Sequence, residues 1–275
     1  MRVWVLGSGS SGNAAIVEAD GSRVLVDCGM GPRAIANRLR AHDAAHVFPG
    51  GIDGIVVTHE HHDHIAHLEA HARALGVPVH LHAGIGARRV RERYEVRGYD
   101  AGAAFRVGAL CVEALAVPHD APQVALRIST TSGERRAFGL VTDIGHVPAD
   151  LAPFLGACDA ALVEANYCPE LLWSGPYPTH LKRRVSGGVG HLANQETAEL
   201  ASKLVGSRLS RLFLGHISRT NNMPERALAT VRQRSGSLDV RPILPGVVTV
   251  LDIEADEHRG KIRAKGRPTQ LAFGF

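Results

Sequence analysis

At 275 residues, 45% of them hydrophobic, the chain has ample apolar material for a packed core, which excludes a disordered protein. Its formal net charge of +4 includes 31 basic residues, of which only four are lysine; the positive charge is carried by arginine, whose planar fork suits phosphate and other anions. No apolar run nears the ~20 residues of a membrane helix and the run before Gly7 is too brief for a signal peptide, so a cytoplasmic protein with no membrane partner is expected. Cys28, Cys111, Cys158 and Cys168 are scattered without a Cys-x-x-Cys pair and read as buried, reduced thiols.

In chain order, Arg2 to Leu6 reads as a strand. Gly7-Ser8-Gly9-Ser10-Ser11-Gly12 then has the Gly-x-Gly-x-x-Gly form of a dinucleotide loop. Such a site requires a helix next, whereas Asn13 to Glu18 alternates and stops at an Asp20-Gly21 turn before a strand ending at Asp27, the pattern of a β-hairpin. Two readings of the loop stay open: a tight turn, or a cradle of backbone N–H groups and the Ser10 and Ser11 hydroxyls for a phosphate. Pro32 opens a helix through Leu39. Gly54 to Val57 is a strand, and Ile65 to Leu75 is expected to be one helix. Its His67 and His71 lie four apart, a spacing that could hold a metal, but lack a third ligand and read as a solvated or satisfied pair. Val79 to His82 alternates as a strand. Ala83 to Arg93 reads as a basic helix, either a solvated face or a contact for a nucleic-acid backbone.

Residues 105 to 142 form a four-stranded meander, with His119 and Asp143 just past strand ends. Pro148 to Leu155 is a helix and Ala160 to Glu164 a buried strand. Helices at Leu181 to Val185 and Asn194 to Val205 flank Gly187 to His191. Arg211 to Leu214 is a strand leading to His216, and Pro224 starts a helix to Arg232. Strands near residues 240–243 and 247–253 and a basic tail close the chain. No repeat or long linker divides it, so one mixed α/β domain, residues 1–275, is expected.

The densest chemistry lies in Thr58-His59-Glu60-His61-His62-Asp63-His64, after the apolar run Ile55 to Val57. Six consecutive ionisable or imidazole groups cannot all be buried without partners, and a solvated loop gives no reason for His-x-His-x-Asp-His spacing. Imidazoles suit zinc, manganese and iron, and an adjacent carboxylate can bind a second ion or orient a water.

His59-x-His61-x-Asp63-His64 resembles the signature of the metallo-β-lactamase superfamily of metal-dependent hydrolases. That resemblance implies a four-layer αββα sandwich and three more ligands at strand ends, positions filled by His119, Asp143 and His216. It assigns His59, His61 and His119 to one divalent ion, Asp63, His64 and His216 to a second, and Asp143 as the bridge. The ions would be zinc or manganese, with a bridging hydroxide as nucleophile and Asp63 among the catalytic residues. Zinc β-lactamases typically carry Cys where Asp143 stands, and flavodiiron members carry Glu where His61 stands.

Glu164-Ala-Asn166, Gly190-His191-Leu192-Ala-Asn194 and the segment from Gly215 to Asn222 resemble three late motifs of the superfamily's nucleases. There an acidic residue orients a His that attends the scissile phosphate, so Glu164 and His191 are the expected catalytic pair. Only residues 165–190 separate the first motif from the second, which leaves no room for the extra domain of the mRNA-processing members. Together with Leu6 to Asn13, Asp27-Cys28-Gly29 and Leu181-Lys182-Arg183-Arg184, the chain looks most similar to the compact YycJ-like (WalJ-like) bacterial branch. That implies a 5′-to-3′ DNA exonuclease, with Ser10, Ser11, Asn13, Lys182, Arg183 and Arg184 as expected substrate contacts. The alternative is a small-molecule hydrolase of the same fold, cutting a cyclic phosphodiester or a thioester, because thioesterase members share all seven ligands.

Overall fold

The computed structural model describes residues 1–253; the basic tail read from the sequence lies outside them. The first half runs β1 (Arg2–Gly7), β2 (Ala14–Ala19), β3 (Ser22–Val26), α1 (Pro32–Arg40), β4 (Gly54–Val57), α2 (His62–Ile65), α3 (Leu68–Leu75), β5 (Val79–His82), α4 (Arg88–Arg93) and β6 (Val96–Tyr99). The second runs β7 (Ala104–Val107), β8 (Leu110–Val117), β9 (Gln123–Thr130), β10 (Ala137–Val141), α5 (Leu151–Gly156), β11 (Ala160–Glu164), α6 (Pro169–Ser174), α7 (Thr179–Val185), α8 (Asn194–Leu204), β12 (Arg211–Gly215), α9 (Pro224–Arg232), β13 (Asp239–Pro242) and β14 (Thr249–Asp252).

Two seven-stranded sheets form, in the orders β14-β1-β2-β3-β4-β5-β6 and β13-β12-β11-β10-β9-β8-β7. Their strands are apolar on both faces, and the two-residue period sends alternate side chains into different cores. Val3 and Val5 of β1 join Val56, Leu126 and Phe138 between the sheets. Trp4 and Leu6 of the same strand pack with Ile35, Leu39 and Leu68 of α1 and α3. On the far side Val141 and Val163 pack with Leu155, Leu200, Leu204 and Val231 of α5, α8 and α9. Three cores between four layers give the αββα sandwich that the resemblance implied. No helix among the described residues is long and apolar enough to cross a membrane.

Several element boundaries differ from the sequence reading. The single helix expected over Ile65 to Leu75 is two pieces, because the His67 backbone N–H donates to the Cys28 carbonyl (2.9 Å) instead of continuing the ladder. Helix therefore begins inside the histidine loop, at His62. The basic helix shrinks to Arg88–Arg93: Gly84 and Gly86 precede it, and the Gly86 N–H is bound by the Glu60 carboxylate at 2.9 Å. The helix expected from Pro148 starts only at Leu151. Strand β6 and helix α6 were not anticipated; β6 is an edge strand with exposed Arg97 and Gly98, which hides its period.

Candidate metal centre

The parallel pairings Val26↔Val56 between β3 and β4, Val141↔Val163 between β10 and β11, and Glu164↔Gly215 between β11 and β12 bring their C-terminal ends level. Those ends, with that of β8, deliver Asp27, His59, His119, Asp143, Glu164 and His216 to one rim of the sandwich. Asp27, Asp143 and His216 all sit in left-handed backbone, with φ of 59°, 58° and 50°. Such a conformation turns a side chain sharply out of the strand and is uncommon outside glycine. The histidine loop is held from below by the first hairpin. Asn13 N donates to the Asp63 carbonyl (2.7 Å) and Cys28 N to the His64 carbonyl (2.6 Å). Gly29 lies so close that a Cβ there would stand 1.7 Å from the Asp63 carbonyl oxygen, so no other residue fits.

Each of these rim histidines has an acceptor beside one ring nitrogen, which orients the ring. His64 Nδ1 faces Asp27 Oδ2 at 2.8 Å, and Asp27 is itself held by the Thr58 N–H and hydroxyl. Thr58 Oγ1 lies 3.1 Å from His59 Nδ1. The Gly190 carbonyl takes His119 Nδ1 at 3.1 Å, Glu164 Oε1 takes His216 Nδ1 at 2.9 Å, and Asp120 Oδ1 lies 3.2 Å from His61 Nε2. The atoms left over are lone pairs that converge. His61 Nδ1 and His119 Nε2 approach to 3.1 Å, and the buried His59 Nε2 and His216 Nε2 have no hydrogen-bond partner. His64 Nε2 stands 3.0 Å from Asp143 Oδ2.

Two groups result: His59, His61 and His119, and Asp63, His64, Asp143 and His216, the ligand atoms of each lying within 4.8 Å of one another. Nitrogen and carboxylate lone pairs aimed at one another inside a buried rim repel unless a cation sits among them, so these residues fit divalent metal. The electrostatics agree. Burial opposes charge on His64, but Asp27 and Asp143 outweigh it and raise the ring to about 10. Burial, with His64 next, pushes His59 down to about 2, keeping its lone pair free. For Asp63 burial acts upward, yet the neighbouring His216 ring, Nε2 3.5 Å away, and the charge of His64 bring it to about 2. A field that favours a second proton on His64 also favours a cation in its place.

Against this centre lies a dyad. His191 Nδ1 is 2.7 Å from Glu164 Oε1, and the His191 ring is 5.3 Å from that of His216 and 5.7 Å from that of His119. The His191 side chain keeps 22% exposure, unlike fully buried Glu164. Burial lowers the His191 pKa, but the charge and hydrogen bond of Glu164 exceed it and the net direction is upward. Glu164 also spans the site: Oε1 serves both His191 and His216, while Oε2 accepts from Ile144 N (3.0 Å) and Leu192 N (3.3 Å). Asp143, Glu164, His191 and His216 themselves form a third group of possible ligands.

The structure brings His59, His61, Asp63, His64, His119, Asp143, Glu164, His191 and His216 together. The expected substrate contacts fare differently. Ser10 and Ser11 are exposed at the loop tip. Asn13 is buried and turned inward, its amide 2.8 Å from His64 Nε2 and 3.1 Å from Asp63 Oδ2, so it supports ligands. Lys182 Nζ donates to the Trp173 carbonyl, Arg183 is exposed, and Arg184 forks onto Asp120. Sequence reasoning missed Ser8, whose hydroxyl accepts the His216 N–H, the contacts of Asp27 and Thr58 with His64 and His59, and the place of Asp120 beside His61 and His119. For Asp27 a signal was present, an acid at a strand end before Cys28-Gly29. For Ser8 and Asp120 there was none.

A family model described as a beta-lactamase superfamily domain matches residues 22–217. The chain belongs to this superfamily. It is 31% identical over 243 residues to the exodeoxyribonuclease WalJ of Streptococcus pneumoniae serotype 2 strain D39, covering 86% of this chain and 88% of that protein. To the exodeoxyribonuclease YycJ of Bacillus anthracis it is 30% identical over 237 residues, 83% of this chain and 87% of that one. The crystal structure of the metallo-β-lactamase fold protein YhfI from Bacillus subtilis matches with a TM-score of 0.70 at 18% identity, over 91% of this chain and 99% of that one. The fold is that of metal-dependent hydrolases.

Proposed function

We propose that this superfamily member is a phosphodiesterase with two divalent metal ions, acting as a 5′-to-3′ DNA exonuclease within one domain. The observation that carries the reading is the Glu164–His191 dyad, at 2.7 Å, with only His191 reaching solvent, beside seven converging candidate ligand side chains. Two relatives named exodeoxyribonucleases, each aligned over most of its length, favour a DNA substrate. His59, His61 and His119 would hold one ion and Asp63, His64 and His216 the other, with Asp143 shared. When bound, such ions supply Lewis-acid polarisation of a phosphodiester and lower the pKa of water toward neutrality.

The chain's own residues do the rest. Glu164 Oε1 fixes His191 through Nδ1, which leaves Nε2 as the proton-bearing atom, and the charge and hydrogen bond of Glu164 favour the protonated ring. Departure of an alkoxide from phosphorus needs such a proton. Lys182 and Arg183 on α7 supply positive charge for the strand backbone, and exposed Ser10 and Ser11 cap a position for a 5′-terminal phosphate. The test is digestion of end-labelled single- and double-stranded DNA and RNA by protein reconstituted with zinc or with manganese. Faster loss of 5′-phosphorylated than 5′-hydroxyl DNA, with products released from the 5′ end, supports the reading. Release from the 3′ end refutes the polarity, and cleavage of a thioester but of no phosphodiester refutes the activity.

A further inference from the structure

We infer that Asp120 and Arg184 form a positioning pair for His61, which makes Arg184 a support of the three-histidine cluster and not a contact for substrate phosphate. The inference deepens the proposed function without depending on its substrate. Four of the five rim histidines draw their tautomer-setting acceptor from the interior: Asp27 for His64, Thr58 for His59, Glu164 for His216 and the Gly190 carbonyl for His119. His61 is the exception. Its Nε2 lies 3.2 Å from Asp120 Oδ1, an oxygen that is also 3.2 Å from His119 Nε2, and Asp120 is only partly buried, as is His61. A carboxylate free to swing toward water would hold the ring loosely. Here its other oxygen, Oδ2, is gripped by Arg184 through Nε at 2.8 Å and a terminal guanidinium nitrogen at 2.7 Å.

The two oxygens of Asp120 thus point opposite ways, one to the His61 and His119 rings and one to the fork. Arg184 fixes the carboxylate, the carboxylate holds the His61 ring from its Nε2 side, and His61 Nδ1 lies 3.1 Å from His119 Nε2. The same end of α7 reaches His119: the Gly190 N–H closes a turn on the Gly187 carbonyl, and the Gly190 carbonyl faces His119 Nδ1. A Cβ at Gly190 would stand 2.1 Å from the Arg184 carbonyl oxygen, so this turn is packed against the residue that holds Asp120. Two of the three histidines in this cluster are therefore oriented from the α7 segment, and the guanidinium is already occupied by a carboxylate on the protein.

Asp120→Ala, Arg184→Ala, Arg184→Lys and Arg183→Ala test this, with zinc affinity measured by competition against a chromophoric chelator. Binding of a phosphorothioate single-stranded DNA oligonucleotide to the zinc-loaded protein is followed as a function of salt in parallel. Removal of a group that orients a metal-ligating histidine typically costs about 10- to 100-fold in metal affinity. Asp120→Ala should show that loss for one of the two zinc equivalents and leave the other unchanged. Arg184→Ala should act in the same direction, and Arg184→Lys should recover part of the loss because an ammonium can still reach Oδ2. The salt slope should stay the same in Arg184→Ala and fall by roughly one in Arg183→Ala. An Arg184→Ala protein that holds both zinc equivalents as tightly as the parent, with a salt slope lowered by about one, overturns the inference and returns Arg184 to the substrate. If no oligonucleotide binds to any variant, the nuclease reading fails while the zinc titrations still decide the role of the pair.

Discussion

Replacing Glu164 with glutamine removes one charge and keeps the shape, and the structure dictates two outcomes, one of which has to occur. The native carboxylate accepts four contacts: His191 Nδ1 and His216 Nδ1 on Oε1, and the N–H groups of Ile144 and Leu192 on Oε2. Glutamine offers one oxygen and one NH2. If the oxygen stays with the histidines, the NH2 faces two buried N–H donors, each stranded at about 1–3 kcal/mol. The sum, about 2–6 kcal/mol, is a large part of the roughly 5–15 kcal/mol that stabilises a domain. If the amide turns over, the backbone donors are satisfied, but the NH2 now donates to both imidazoles and moves their hydrogens to Nε2. His216 Nε2 is then no longer a lone pair facing Asp63. Urea unfolding of the metal-free protein and zinc titration should be run side by side. The expected result is either a stability loss of that size or loss of affinity for one zinc equivalent, together with slower turnover. A Glu164→Gln protein with parental stability and both zinc equivalents at parental affinity would refute the hydrogen-bond assignments.

Three further outcomes are expected. His191→Ala should keep its metal content while the chemical step slows about 10²- to 10⁴-fold, measured in single turnovers; loss of metal would instead make His191 a ligand, as the group Asp143, Glu164, His191 and His216 permits. Gly29→Ala drives a Cβ into the Asp63 carbonyl and the Asn13 nitrogen, and should lower stability by at least about 1–3 kcal/mol, with weakened metal binding. Gly98→Ala, where nothing lies within 4 Å, is the control expected to change little. Burial, aided by Arg97, lowers the His80 pKa from 6.5 to about 4, so the unfolded chain takes up the proton first. The His80 contribution is intact above pH 6.5 and is lost as pH falls from there through about 4; His80→Asn should flatten that part of the stability profile relative to the parent.

The candidate ligands could be picked out because the strand ends that carry them follow apolar runs that only a buried strand explains, and their chemistry is local to each strand end. Strands β4, β8 and β11 match the residue runs read from the sequence. What the sequence hid depends on approach between distant segments. Asp27 and His64 stand 37 positions apart and meet only because β3 and β4 run parallel in register. Asn13 looked like part of a phosphate loop, yet the hairpin returns it beneath the histidine loop, where its amide meets Asp63 and His64. The break before Leu68 has the same origin, since a carbonyl 39 residues away competes for the His67 N–H. Lys182, Arg183 and Arg184 look equivalent in sequence, but helical rotation sets Lys182 against the Trp173 carbonyl and Arg184 against Asp120 and leaves Arg183 exposed.

The left-handed backbone at Asp27, Asp143 and His216 links these observations to the chemistry. Such residues cost about 1–3 kcal/mol each and persist only where their surroundings hold them. Asp27 is held by three bonds from Thr58 and one from His64, and His216 by Ser8 at its N–H and by Asn166 at its carbonyl. Asp143 is placed differently, because no hydrogen-bond partner reaches its buried Oδ2 and His64, His191 and His216 surround the carboxylate. Its strain is balanced chiefly by charge, in a position between both ligand groups. Occupancy by a divalent ion would therefore stabilise Asp143 more than the other two, and binding energy there would also lock the strand end from which its carboxylate projects.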